Sequence, residues 1–380
     1  MFPVPPTAAT RRHTSVWLLA LLVPVAGLSE ARVPTPPPAV QSPDPDAPAE
    51  PEIAKSRLVV VPYPIVDPAL GNGVLGGPVW MRGGPPTSSG PAKPQAFGVG
   101  ALWTDGGSRG VVAFDHRAWK GGAWRSTALV GDVDLHFAYS GLEFGQDDGF
   151  GFAIAAQGGS LSAERRLGTG PITLSVQLFS AQADVSPEAP PSVEIAGDIG
   201  TSTLSGITLG WARDTRDDVF LPSDGTAMSV NVTVIPEALG ASFNSQRVAL
   251  KWTHYRPMGQ GVIGLRAKSD LSFDDPPFYL RPFISFRGVA ALRYAGEQVV
   301  SVETEYRHPI HGRWDGLVFA ASGHARSDFR GFERDKTVSA VGVGVRFKAV
   351  KLFGLTFGLD LAQGPDGTVG YIQIGNAWSN

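Results

Sequence analysis

Few residues here are spaced for catalysis. Glycines 71, 73 and 76 form a G-x-G-x-x-G, but a dinucleotide site needs a strand before that motif and a helix after it, and no helical pattern follows, so these read as strand and turn glycines. His308 and His311 have the spacing of metal ligands, yet no third ligand stands nearby and they flank a turn, so they read as polar turn residues. Cysteine is absent altogether, which removes disulfides, thiolate catalysis, thiolate metal sites and lipoprotein anchoring. The remaining histidines of the exported chain lie near no nucleophile motif. We therefore expect no enzyme activity, metal or cofactor.

The conspicuous charges cluster in two places. Arg213, Asp214, Arg216 and Asp217 end one alternating segment, and a turn from Pro222 to Gly225 begins the next; the plain reading is a charged hairpin tip. Phe286, Arg287 and Gly288 sit in a long connection, ahead of a segment that carries Glu303 and Glu305. The net charge of −3 offers no basic field for a phosphate backbone, which argues against nucleic acid as a partner.

The elements that must position these residues are strands. Glycine (47) and proline (32) are abundant and only 18% of residues are charged, a profile of many strands and turns. Period-2 alternation recurs from Arg57 onward. Ile263, Leu265, Ala267 and Leu271 share one face of Gly261 to Leu271; Val300, Val302 and Tyr306 share one face of Val299 to Arg307; Val341, Val343, Val345 and Phe347 alternate with Gly342, Gly344, Arg346 and Lys348; Phe353 to Leu361 alternates likewise. These segments run about nine to eleven residues, the length of a tilted strand crossing hydrocarbon. Their polar faces mix charge with glycine, as a wet, crowded lumen requires. Trp103, Trp124, Trp252, Tyr255, Tyr306 and Trp378 near segment ends are expected to form interfacial girdles. About fifteen segments can be counted from Gly71 to Trp378, and since single-chain barrels usually have an even number, one is expected to be mis-split or missed, with the region between Trp124 and Val185 the first candidate.

The N-terminal residues 1–31 have the layout of an export signal: Arg11, Arg12 and His13, an apolar run from Val16 to Leu28, and small residues at Ser29 and Ala31. That run, interrupted by Pro24, falls short of the roughly 20 residues a spanning helix needs. Residues 32–56 are a proline-rich stretch expected to be disordered, and residues 57–380 are expected to be the barrel.

Three stretches go beyond a generic barrel pattern: the Arg213 to Gly225 hairpin, the Phe286-Arg287-Gly288 loop with its following strand, and the C-terminal YIQIGNAWSN containing Tyr371 and Trp378. Together they resemble the BamA, TamA and bacterial surface-antigen superfamily of outer-membrane proteins, from about Leu70 to Trp378 and most strongly after Gly206. The hairpin looks like the family's eighth-to-ninth strand signature. Arg287 and Gly288 match the core of the loop that in this family folds back into the lumen, with Phe286 and Val289 departing from its usual flanking residues. Glu305 matches the lumen-facing glutamate of the next strand. Where the family carries Phe-x-Asp-x-Gly, residues 319–323 read Phe-Ala-Ala-Ser-Gly, so the usual aspartate partner of the loop arginine is missing. A desolvated arginine still needs a carboxylate, which predicts that Arg287 pairs with Glu305, with Glu303 as the second candidate. A second Arg-Gly-Phe at 330–332 falls too late in the chain for the lumen and reads as an exposed loop.

The resemblance implies a closed antiparallel transmembrane barrel of about 16 strands with a lumen-folded loop, in the Gram-negative outer membrane, contacting its lipid. It corresponds to the subgroup lacking POTRA domains, and Tyr371 and Trp378 would belong to a C-terminal insertion signal. The implied function is assistance in inserting or translocating proteins or lipids through a weak seam between first and last strands, the first being taken as Gly71 to Met81. The alternative is a passive pore, or a structural barrel partnering another exported protein.

Overall fold

The computed structural model describes residues 57–67, 69–82, 95–139, 150–187, 199–218, 221–327, 334–350, 355–365, 367–374 and 378. The export signal, the proline-rich stretch and the second Arg-Gly-Phe lie outside them. Sixteen strands form one antiparallel sheet in sequence order. They are β1 (Arg57–Asp67), β2 (Gly71–Arg82), β3 (Gln95–Thr104), β4 (Arg109–Trp119), β5 (Trp124–Tyr139), β6 (Phe150–Arg166), β7 (Ile172–Pro187), β8 (Gly200–Asp214), β9 (Gly225–Ile235), β10 (Ser245–Met258), β11 (Gly261–Phe273), β12 (Gln298–His311), β13 (Trp314–Ser327), β14 (Arg334–Val350), β15 (Leu355–Gly364) and β16 (Gly367–Ile374).

The sixteenth strand is not where the sequence suggested. Three strands fill the region from Trp124 to Val185, and the additional one is β1, ahead of Gly71 to Met81, which is therefore the second strand. Pro62 and Pro64 disguise β1, because proline has no N–H to donate to a ladder. They are tolerated because β1 pairs through its full length with β2 alone.

Alternation sorts side chains between lipid and lumen. Phe97, Val130, Leu178, Leu209, Leu265, Val302, Val343 and Leu359 are exposed on the outer face, an apolar band only acyl chains could cover favourably. Inward positions of β12 read Ser301, Glu303, Glu305 and Arg307, all buried.

The long strands β5 to β7 reverse this pattern part-way along. On β5 the outer face runs Trp124, Ala128, Val130 and then Asp132, Asp134, His136, while the inner face changes from Arg125 and Thr127 to the buried Val133, Leu135 and Phe137. On β7, exposed Leu174, Val176 and Leu178 give way to Gln182, Asp184 and Ser186, opposite buried Ala181, Ala183 and Val185. One end of the barrel thus stands in water and closes over a greasy interior, where Phe137 stacks on Phe152 at 5.0 Å and Phe152 meets Phe278 of the β11–β12 connection edge-on at 4.9 Å.

Two of the aromatic residues expected at the membrane interface lie inside instead. Tyr255 and Trp378 are 2% and 1% exposed and tilt against each other at 5.8 Å. Their position at a strand end looks interfacial in sequence, but Trp378 donates its Nε1–H to Glu303 in the lumen and Tyr255 packs on its ring. Trp103 and Trp124 do face outward.

Cα atoms of β1 and β16 approach within 8 Å, yet among the described residues no ladder joins these two strands.

Candidate functional site

The 24-residue connection from Asp274 to Glu297 folds into the lumen between β11 and β12. Its base is cinched by Arg281, which is buried and bonded to Asp275, Glu297 and, at 3.2 Å, the Pro276 carbonyl. Backbone bonds from Ile284 to Tyr294 (2.9 Å) and from Gly296 to Pro282 (2.9 Å) then make the loop a narrow hairpin. Ile284 and Phe286 pack on Ala321, Ala325, Val338 and Ala340 of the inner wall. Gly323 makes room for them, since a Cβ there would lie 2.8 Å from Ile284 Cγ2.

At the tip Arg287 reaches two acids. Its Nη2 donates to Glu305 Oε2 at 2.8 Å, its Nη1 to Asp360 Oδ2 at 2.7 Å, and its guanidinium lies 3.6 Å from the centroid of the Phe319 ring. Asp360, on β15, is shared with Arg346 of β14, whose Nη2 donates to Oδ2 at 2.9 Å. Two arginines and two carboxylates thus balance in a place where all four are buried. That balance is what offsets desolvation of four charges. Glycine clears the space, for a Cβ on Gly342 would strike the Phe319 ring and one on Gly344 would strike Asp360.

Gly288 completes the clasp. Its φ of +95° is left-handed and costly for any residue with a Cβ. Its N–H donates to the Tyr371 hydroxyl of β16 at 2.9 Å, and its carbonyl lies so close to Gly364 that no side chain fits there. The tip therefore touches β12, β13, β14, β15 and β16, all on the side of the sheet next to the seam.

Glu303, the second candidate partner of Arg287, goes elsewhere. It accepts from Arg266, at 2.8 Å from Nε, and its other oxygen accepts from Trp378 Nε1 at 3.0 Å. Trp378 also lies under the Arg266 guanidinium, 5.5 Å from its ring centroid, and fits because residue 264 is glycine. Tyr371 and Trp378, paired in the sequence as C-terminal aromatics, both engage lumen groups. The missing Phe-x-Asp aspartate is replaced by Asp360, which sequence reasoning overlooked. Its period-2 place opposite Leu359 and Leu361 marks it as inward, but nothing local assigns it to a loop 73 residues away.

The hairpin between β8 and β9 guards the other mouth. Arg216 is held in a fork by Asp214 (3.0 and 2.7 Å). Asp217 accepts backbone bonds from Asp218 (2.9 Å), Ser223 (2.9 Å) and Asp224 (3.2 Å) as well as from the Ser223 hydroxyl. Burial pushes the Asp217 carboxyl up, but these donors outweigh it and hold the group below the usual carboxylate range. Gly225 has φ +103°, and the Pro222 carbonyl accepts from the buried Arg307 of β12 at 2.6 Å. Arg213, at the end of β8, is exposed. His308 and His311 are exposed at the β12–β13 turn, and no cluster of three metal-ligand side chains occurs among the described residues.

Comparison with solved structures places this architecture. BamA from Haemophilus ducreyi lacking POTRA domains 1–3 superposes with a TM-score of 0.60 at 10% identity, covering 84% of this chain and 70% of that one. CdiB from Escherichia coli gives 0.58 at 11% identity (83% and 61% covered), and CdiB from Acinetobacter baumannii 0.55 at 13% (83% and 59%). The chain thus spans about three fifths of the length of the two CdiB proteins. No curated protein sequence matches it. Residues 142–358, more than half the chain, match the Omp85 superfamily domain. On that match and this fold, the chain belongs to the Omp85 superfamily of β-barrel proteins.

Proposed function

We propose that this barrel sits in the Gram-negative outer membrane and assists the insertion or translocation of exported proteins or lipids, using the seam between β1 and β16 as its opening. The observation that carries this reading is the pair of neighbouring, unladdered edge strands in a sheet whose other fifteen junctions are hydrogen-bonded. An unpaired edge exposes donors and acceptors that hydrocarbon cannot satisfy, so the seam is a place where another extended segment can add. The Arg287 loop occupies the lumen from one end, and at the other Pro222 of the β8–β9 hairpin reaches Arg307 of β12, which favours passage at the wall.

The test uses the absence of native cysteine. Cysteine pairs introduced across β1 and β16 and oxidised should abolish delivery of client to the outer membrane, and reduction should restore it. Delivery unaffected by a complete cross-link would overturn the reading.

One feature of β1 bears on which edge of the seam another segment would join. Pro78 of β2 is opposite Val60, and the β2–β3 register skips Gly77 and Pro78, so the missing N–H of Pro78 is directed at β3. Residues 60, 62 and 64 share that parity, and the nitrogens of Pro62 and Pro64 are therefore directed at the seam. Two donors are lacking on that edge, which blunts strand addition at β1 and leaves β16 the better template.

A further inference from the structure

The lumen loop takes hold of the sheet on both sides of the seam. On the β16 side the Gly288 N–H donates to the Tyr371 hydroxyl at 2.9 Å. Three residues further along the loop, the backbone N–H of Ala291 donates to the carboxylate of Asp67, the last residue of β1. The same carboxylate accepts from the backbone N–H groups of Ala69 at 2.8 Å and Leu70 at 3.1 Å, so it fastens the loop to the β1–β2 turn that it also shapes. Apolar contact reinforces this side. Ala290 is buried in one cluster with Ala69 and Leu102, and Leu70, Leu75 and Leu292 pack against that cluster. Leu292 is held at φ +61°, a left-handed conformation that a residue with a side chain keeps only where its surroundings impose it. In an antiparallel sheet the odd-numbered strands end, and the even-numbered ones begin, at one rim, so Asp67 and the Gly367 end of β16 stand at the same rim. Three residues of chain span at most roughly 10 Å, so the two handholds form a short bridge between the unladdered edges.

We propose that the tip of the lumen loop is a latch on the seam: residues 288–291 hold β1 to β16 from inside, in place of a ladder, and the seam widens when either handhold lets go. A ladder parts only when many bonds break together. Here the join is one hydrogen bond to each edge strand plus a small apolar contact on the β1 side, so displacing the loop tip releases it without unfolding either strand. The latch rests on reading the β1–β16 seam as the opening, and it names what governs that opening.

Because the chain has no native cysteine, nitroxide labels can be attached at the exposed positions Val60 and Ile372, and their separation measured by pulsed electron resonance in the full chain reconstituted in liposomes. Tyr371→Phe removes one handhold and Asp67→Ala the other. Each should lengthen the separation by about one strand spacing, roughly 5 Å, in a large part of the population. Tyr279→Phe, which removes a 2.6 Å bond from the same loop to Ser202 of β8, should leave it as in the parent. Heat-modifiable migration on gels shows which variants fold, and if Asp67→Ala does not, Tyr371→Phe decides alone. Separations equal to the parent's in every folded handhold variant, or lengthened as much by Tyr279→Phe, would overturn the latch. Client delivery by the same variants is scored separately: a wider seam with unchanged delivery supports the latch and counts against the seam as the route, while an unchanged seam counts against the latch alone.

Discussion

Arg287 and Asp360 are 73 residues apart in the chain and 2.7 Å apart in the lumen. Through that bond a loop that leaves the sheet at β11 is fastened to its penultimate strand, and Tyr371 extends the attachment to the last. The loop thereby reports on, and restrains, the strands beside the seam.

Removing Asp360 takes from buried Arg346 the carboxylate it is bonded to and leaves Arg287 with Glu305 alone, whereas removing Glu305 leaves both arginines bonded to Asp360. We expect Asp360→Ala to destabilise the barrel by about 3–5 kcal/mol, the usual cost of leaving a buried charge uncompensated, and Glu305→Gln to cost clearly less. Heat-modifiable migration of the folded barrel on gels, run over a temperature series, checks the order; equal losses would contradict the shared role of Asp360.

Gly288 and Gly364 are set against each other with no room for a side chain. Either Gly288→Val or Gly364→Val should push the loop tip out of the lumen. In planar bilayers we expect small, flickering currents from the parent and larger, steadier ones from the variants. Parent channels already wide open would contradict a plugged lumen.

Gly264→Val should expel Trp378, since a Cβ there would lie 2.7 Å from its Cζ3. The loss of tryptophan emission from a dry, arginine-flanked setting should match that of Trp378→Phe. A Gly264→Val spectrum unchanged from the parent would show that the ring does not depend on this notch.

Asp217 titrates below its ordinary value of 3.8, so the folded hairpin holds its proton less tightly than the unfolded chain. Its contribution is complete above the unfolded value and is lost as pH falls through the lower, folded one. Proteolytic nicking between 215 and 224 should therefore stay low until pH drops below the usual carboxylate range, and Asp217→Asn should remove that dependence and raise nicking at neutral pH.

The outer face of the sheet was legible because its apolar residues recur at every second position, a pattern that β11, β12, β14 and β15 keep with few breaks such as Ser269 and Thr304. Where β5 to β7 rise into water the pattern reverses, yet alternation persists, so strands remain readable while their lipid-facing side does not. Strand β1 escaped notice because Pro62 and Pro64 look like breakers unless one knows that only one edge is paired. Within the site, Arg287 and Glu305 are 18 residues apart on adjoining segments, close enough to connect by pattern. Asp360, Arg346 and Tyr371 arrive from later strands, and only closure of the sheet toward its first strand brings them to the loop. Trp378 was read by its place near the chain end, which says nothing about the glycine and glutamate that receive it.

Cross-linking in alternative registers tests the unladdered seam most directly. A single cysteine at Val60 can be combined in turn with cysteines at Thr368, Gly370 and Ile372, using Leu178 and Ile207, which are partners in the β7–β8 ladder, as the control. An unladdered seam predicts that Val60 cross-links to more than one of the three β16 positions, while Leu178 joins Ile207 and not its neighbours two residues away. Cross-linking of Val60 to a single β16 position, as efficient as the control, would mean a fixed ladder closes the barrel and would contradict the seam as the opening.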